Sequence, residues 1–340
     1  MKAKKKQAQY GIAVWAVDPF EKHSAPQAAA VKSLDRWAGK CGLRILPVYA
    51  ASLPTDELER GVLKQIDRLQ DALNSFVDRY KLRNALPAEI LLDESSSRGG
   101  AVHEVLAFAA RKKSAWLALS THGRSGFQRL VFGSFAEGLL RKAKCPVLLL
   151  SGKQLGAVRN RVLFPTDFSI QSRRAFRAFL PTAKQLHFDL TLFHAISLPA
   201  PVYLGQMNGM PSNYIPRNYF PGEEARAKRE GAAWQKWAKS NGVNARLLLS
   251  DEGVGMLTGS VILRAAKKAK ASMIAMSSQS GPVDRMLLGS AAHEVFRSHQ
   301  YPMWMFGPKA TQRKLAPMPV DDRGVFLSKT DGKRVTTGAI

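Results

Sequence analysis

Short apolar runs alternate along the chain with longer stretches in which apolar residues recur every three or four positions. In the first half the runs are Gly11–Val17, Leu43–Tyr49, Glu89–Leu92, Trp116–Leu119 and Val147–Leu150. Runs of this length bounded by polar residues predict buried strands. Between them Leu58, Val62, Ile66, Leu69, Leu73 and Phe76 fall on one face of a predicted helix, and Val102, Val105, Leu106 and Ala109 on one face of another. The second half repeats the alternation, with runs at Arg161–Phe164, Phe188–Phe193, Ala245–Leu249, Met273–Met276 and Met303–Phe306. Strands separated by helices of this length predict a parallel sheet covered on both faces, because parallel neighbours need right-handed crossovers. The fold class is α/β.

The two halves are copies of one unit. Gly133-Ser134, Arg141 and Pro146 reappear as Gly289-Ser290, Arg297 and Pro302, each at an offset of 156 (133 to 289, 141 to 297, 146 to 302). The first strands also end alike, Ala16-Val17-Asp18-Pro19-Phe20 against Pro165-Thr166-Asp167-Phe168-Ser169. The expected organisation is a basic tail over 1–9, a first domain over 10–150, a linker over 151–160, a second domain over 161–307 and a polar, basic tail over 308–340. Ser197–Gly222 lies outside the repeat, is rich in Pro, Tyr and Asn, and predicts a long surface loop. The tail after Pro308 is aperiodic and is expected to be mobile.

Composition narrows the function classes. Among 340 residues, 51 are Lys or Arg and 26 are Asp or Glu, a net charge of +25. That balance favours polyanions, and non-specific association with nucleic acid is one outcome, although no recognition module is visible. Runs such as Arg111-Lys112-Lys113 read more plainly as solvated faces. No apolar stretch reaches the length of a membrane span. Two cysteines, Cys41 and Cys145, cannot build a disulfide framework and fit a reducing cytosol, so a cytoplasmic location is expected.

The strongest local signal follows the fourth strand: Ser120-Thr121-His122-Gly123-Arg124-Ser125-Gly126, then Gly133-Ser134 opening a helix. In open parallel sheets ligands sit beyond the carboxyl ends of the strands, where strand order reverses. Glycines let backbone N–H groups approach an anion, the helix N-terminus favours phosphate, and Arg124 could add a charge-assisted contact. Ser134 followed by Glu137 is equally a capping box that needs no ligand. The two readings are compatible. His122, Ser120 and Ser125 show no partnered acid or base, and the histidines and cysteines show no metal-ligand spacing. P-loop and dinucleotide fingerprints are absent. His194, at the end of the second strand of the second copy, reads as a packed strand histidine.

Gly123 to Gly133-Ser134, spaced Gly-x9-Gly-Ser, resembles the nucleotide loop of the universal stress protein family. So do Asp18 and Asp167 at the ends of the first strands, Pro165-Thr166-Asp167-Phe168-Ser169, and Cys145-Pro146-Val147-Leu148-Leu149 as a last strand. The resemblance covers roughly 10–150 and 160–307. It implies two tandem open five-stranded parallel doubly wound sheets of strand order 3-2-1-4-5. It also implies ATP with Mg²⁺ as ligand. Adenosine would lie on Asp18 and the backbone of Val48, or on Asp167 and Ala195. The phosphates would lie on Ser120, Gly123, Arg124, Gly133, Ser134 and Phe135, with Gly289 and Ser290 as the second copy's counterparts. The last strands would pair the domains into an internal pseudo-dimer, and a homodimer is a further assembly the family allows.

Three departures bear on that implication. Ser120 stands where the family's first loop glycine falls, and Phe135 where a smaller residue is common. Counted back from Gly289, the second loop has Met276 and Gln279 at the glycine positions; aligned from the strand, it has Ser277 and Ser280 and has lost a residue. The first copy is therefore expected to carry the better site. The expected function is an ATP-binding stress-response module acting on an unidentified protein partner, with at most slow hydrolysis, since no base or magnesium ligand is positioned. The alternatives are a nucleotide-free structural or partner-binding stress protein and a basic protein associating with nucleic acid.

Overall fold

The computed structural model describes residues 11–21, 24–52, 61–93, 99–120, 134–150, 160–196, 221–250, 258–278 and 289–311. In the first copy the strands are β1 (Gly11–Ala16), β2 (Leu43–Ser52), β3 (Glu89–Asp93), β4 (Trp116–Ser120) and β5 (Val147–Leu150). Its helices are α1 (Ala25–Lys40), α2 (Gly61–Asp78), α3 (Gly100–Arg111) and α4 (Ser134–Lys142). The second copy has β6 (Arg161–Pro165), β7 (Asp189–Ala195), β8 (Ala245–Ser250), β9 (Met273–Ser277) and β10 (Met303–Phe306). Helices α5 (Ile170–Gln185), α6 (Pro221–Ser240), α7 (Thr258–Lys268) and α8 (Ser290–Arg297) accompany them.

All ten strands form one sheet, ordered β3-β2-β1-β4-β5-β10-β9-β6-β7-β8. Each copy therefore has the expected order 3-2-1-4-5, parallel throughout. The copies meet at β5 and β10, which pair antiparallel with Trp304 opposite Leu148. Because that joint is antiparallel, the carboxyl ends of the two copies' strands open on opposite edges of the sheet.

One face of the sheet is covered by α1, α2, α5 and α6, whose Leu34, Phe76, Phe176 and Trp234 pack with Trp15, Phe164 and Trp304. The other is covered by α3, α4, α7 and α8, whose Val105, Leu139, Ile262 and Val295 pack with Leu46, Leu117 and Met303. Burial on both faces is why the strands read as unbroken apolar runs. Both layers run across the joint. Trp304, fully buried on β10, lies 5.0 Å from Trp116 and 6.1 Å from Trp37 of the first copy.

Several expectations need adjusting. β2, β3, β4 and β6 to β9 run one to three residues past their predicted ends, because ladder pairing continues where apolar character stops: Ser52 pairs with Asp93 and Ala195 with Ser250. β7 also starts one residue later than Phe188. The expected loop 197–222 ends early, since α6 starts at Pro221, with Glu223 and Glu224 in its first turn. Proline suits the first helical position and acids suit the positive end of the helix. Residues 197–220 lie outside the described residues, as does Leu58. Of the C-terminal tail, residues 308–311 are among the described residues. Thr311 Oγ1 donates to the Pro308 carbonyl at 3.0 Å, and Ala310 is buried.

Candidate functional site

In both copies strand order reverses between the first and fourth strands, and the same corner is built there twice. Beyond β1, the Val17 N–H donates to the Val48 carbonyl at 2.9 Å; beyond β6, the Thr166 N–H donates to the Phe193 carbonyl at 2.8 Å. The next residue is the aspartate. Asp18 is half-buried, and its Oδ1 accepts the Phe20 N–H at 3.0 Å. Asp167 accepts the Ser169 N–H at 3.0 Å and the Ser172 hydroxyl at 2.6 Å, both on Oδ1. These are side-chain turns; the second leads straight into α5, whose N-cap is Ser169, whereas α1 starts at Ala25 behind its own cap, Ser24. Such turns are the plainer role open to an aspartate in this position, and they leave the carboxylates at the lip of the sheet.

The register relates the second-strand positions. Ala16 lies opposite Val48 and Pro165 opposite Phe193, so Val48 corresponds to Phe193, and Ala195 to Ala50. Tyr49 and His194 are then equivalent, and each meets an aromatic ring from the aspartate turn. The Phe20 ring, 52% exposed, sits edge-on to Tyr49 at 6.1 Å. The Phe168 ring is buried 4.9 Å from His194.

The second corner is the tighter of the two. Phe168 has φ of 58°, a left-handed conformation costly for a bulky residue. It is held by the Thr166 hydroxyl, which accepts the Phe168 N–H at 2.9 Å. His194 Nδ1 lies 2.8 Å from the Thr166 carbonyl. A carbonyl only accepts, so Nδ1 carries the proton in the neutral ring. Burial lowers the His194 pKa, more than the Thr166 carbonyl raises it. For Asp167 the surrounding chain acts to raise the pKa, and the hydrogen bonds from Ser169 and Ser172 overcome it, leaving the carboxyl below its ordinary value. His194 is thus the packed strand histidine expected. The roles of Thr166, Phe168 and Ser172 were not read from the sequence, although Asp-x-Ser followed by a second Ser three residues later was the available signal.

Of the loop residues, Gly123, Arg124 and Gly133 lie outside the described residues, as does His122. Ser120 ends β4, and its hydroxyl receives the Trp15 Nε1–H at 3.4 Å. Ser134 is the first residue of α4, not the residue before it, so it does not hold the N-cap position that a capping box requires. Its counterpart Ser290 is exposed on α8, where the N-cap is Gly289, which has no side chain to cap with. Phe135 is half-buried against the core layer under α3 and α4. Because β4 ends at Ser120 and β9 at Ser277, the second loop aligns from the strand and is one residue shorter (Ser120 to Ser134 against Ser277 to Ser290). The Gly289 N–H is used internally, donating to the Ser278 carbonyl at 2.9 Å.

The model of the universal stress protein family matches residues 12–151 and again 159–307. The chain belongs to this family. A universal stress protein of Methanocaldococcus jannaschii is 36% identical over 52 residues, a segment covering 15% of this chain and 31% of that protein's length. The solved structure of a universal stress protein from Archaeoglobus fulgidus superposes with a TM-score of 0.57 at 18% identity, covering 87% of this chain and 96% of that one. A Pseudomonas aeruginosa protein of unknown function gives 0.53 at 13% identity, over 89% and 94%. At such identities the likeness speaks to the fold. Among the described residues no helix is long and apolar enough to cross a membrane, and no group of three His, Cys, Asp or Glu could hold a metal ion.

Proposed function

We propose that this tandem universal stress protein binds ATP at the strand-order reversal of its first copy and acts as a nucleotide-dependent interaction module for a protein partner. The carrying observation is the β1 corner. Asp18 stands at the lip of the sheet, in the crevice where open α/β sheets take ligands. The residues present suit a nucleoside. A carboxylate can accept two ribose hydroxyls, and the Val48 carbonyl has a second lone pair beside the bond from Val17. Gly123, Arg124, Gly133 and Ser134 would take the phosphates, and Mg²⁺ would arrive with them, held by phosphate oxygens.

The second copy is the weaker candidate. Its loop is shorter and its Gly289 amide is committed to Ser278. These same observations favour a second reading for that copy alone, as a partner-binding half that takes no nucleotide.

The test is calorimetry of Mg-ATP on the full chain, together with nucleotide content of the purified protein after high-salt washing. One ATP per chain, lost in Gly133→Val and kept in Gly289→Val, is expected. Equal losses in the two variants would overturn the asymmetry, and no binding at all would leave the nucleotide-free module.

A further inference from the structure

A strongly basic concavity of the second copy lies at the other end of its strands. The amino ends of β6, β7 and β8 and the last turns of α6 enclose a pocket of about 570 Å³, lined by Arg161, Lys236, Lys239 and Arg246, with Asp189 as its one acidic residue. From Asp189 to Ala195, the length of β7, is about 20 Å, so this pocket is separate from the aspartate corner.

The cations are not paired with acidic groups. Among the described residues none of Arg161, Lys236, Lys239 and Arg246 forms an ion pair, Asp189 included. Arg246 is instead braced by neutral groups: its Nε–H donates to the Thr191 hydroxyl at 2.9 Å and an Nη2–H to the Ala269 carbonyl at 3.2 Å. Thr191 is buried. The guanidinium is therefore fixed in direction and keeps further N–H donors for a ligand. Four unpaired cations facing one carboxylate repel one another, a cost that a bound anion removes.

The duplication supplies an internal comparison. By strand register the first copy has Ile12 in place of Arg161, Leu46 in place of Thr191 and Leu86 in place of Arg246, with Arg44 as its one cation at these positions, in place of Asp189. The charged pocket is thus not a by-product of the fold. It belongs to the second copy.

We propose that this pocket binds a small molecule bearing two or more phosphate groups. The positive groups come from three separate elements, β6, α6 and β8, and the volume exceeds what a single phosphate fills while lying within the range of ligand sites. The fixed Arg246 fork suits phosphate oxygens, and the two lysines act as point charges around it. Gln235, Asn244 and Asp189 supply hydrogen-bonding groups for the rest of such a ligand. The proposal is independent of nucleotide binding at the first copy.

The probe is inorganic tripolyphosphate, titrated into the full chain by calorimetry at about 0.15 M salt, where loosely held counterions are largely screened. One saturable event is expected, weakened about tenfold by Lys239→Gln and again by Arg246→Gln, as for loss of a charge-assisted contact. Lys239 is exposed, so its variant keeps the fold and tests the site even where Arg246→Gln disturbs β8. Affinity unchanged in Lys239→Gln, or binding that never saturates at this salt, would overturn the proposal.

Discussion

At Asp167 two effects of opposite sign meet, and the hydrogen bonds win. A carboxyl held below its ordinary pKa in the native state stabilises the fold above its unfolded pKa, and that contribution is lost as pH falls through the folded value. His194 follows the same direction for a different reason. Its native pKa is depressed by burial, so the unfolded chain takes up its proton first, and stability falls as pH drops below about 6.5. Two acid windows are therefore expected, one below about 6.5 from His194 and one below about 4 from Asp167. Denaturant unfolding from pH 8 to pH 3 checks this. His194→Gln should flatten the upper window and leave the lower, while Asp167→Asn should do the reverse. Coincident loss of both windows in either variant would count against separate origins.

Among the elements, β10 carries the joint. Its Trp304 is fully buried between Trp37 and Trp116 of one copy and Phe179 of the other, and its Nε1 finds no acceptor among the described residues. Trp304→Ala is expected to cost about 3–5 kcal/mol, as for other large cavities. Trp304→Phe should cost much less, since it keeps an aromatic ring and removes an unpaired donor. Chemical denaturation of both variants decides it, and equal losses would mean that the indole is needed as such. Gly307 follows β10 and closes on the Leu140 carbonyl of α4, where any Cβ would collide with backbone. Gly307→Ala should therefore destabilise the joint. Helix ends show what the sequence could not place: Ser134 looks like a cap in the pattern and is the first helical residue of α4.

For the whole molecule, two copies share one ten-stranded sheet and two continuous core layers. The expected consequence is a single cooperative unfolding transition rather than two. Far-ultraviolet circular dichroism and tryptophan fluorescence should report the same midpoint, since Trp15, Trp116, Trp234 and Trp304 lie in one layer. Separate midpoints would mean that the β5–β10 joint yields before either copy.

Periodicity determined the strands, the apolar faces of α2 and α3 and the α/β class, because burial on both sides of a parallel strand leaves a continuous apolar trace, and the recurring Gly-Ser, Arg and Pro marked the duplication. The aspartates were legible too, since they recur at both strand ends. What they do there was not, because an acceptor's partners depend on how the turn closes: Ser172 reaches Asp167, and Thr166 holds Phe168 and His194, only after the chain has bent. The charged pocket was likewise hidden. Arg161 lies far in sequence from Lys236, Lys239 and Arg246, and no motif joins them. Only the parallel register of β6, β7 and β8, with α6 laid across them, draws them around one cavity.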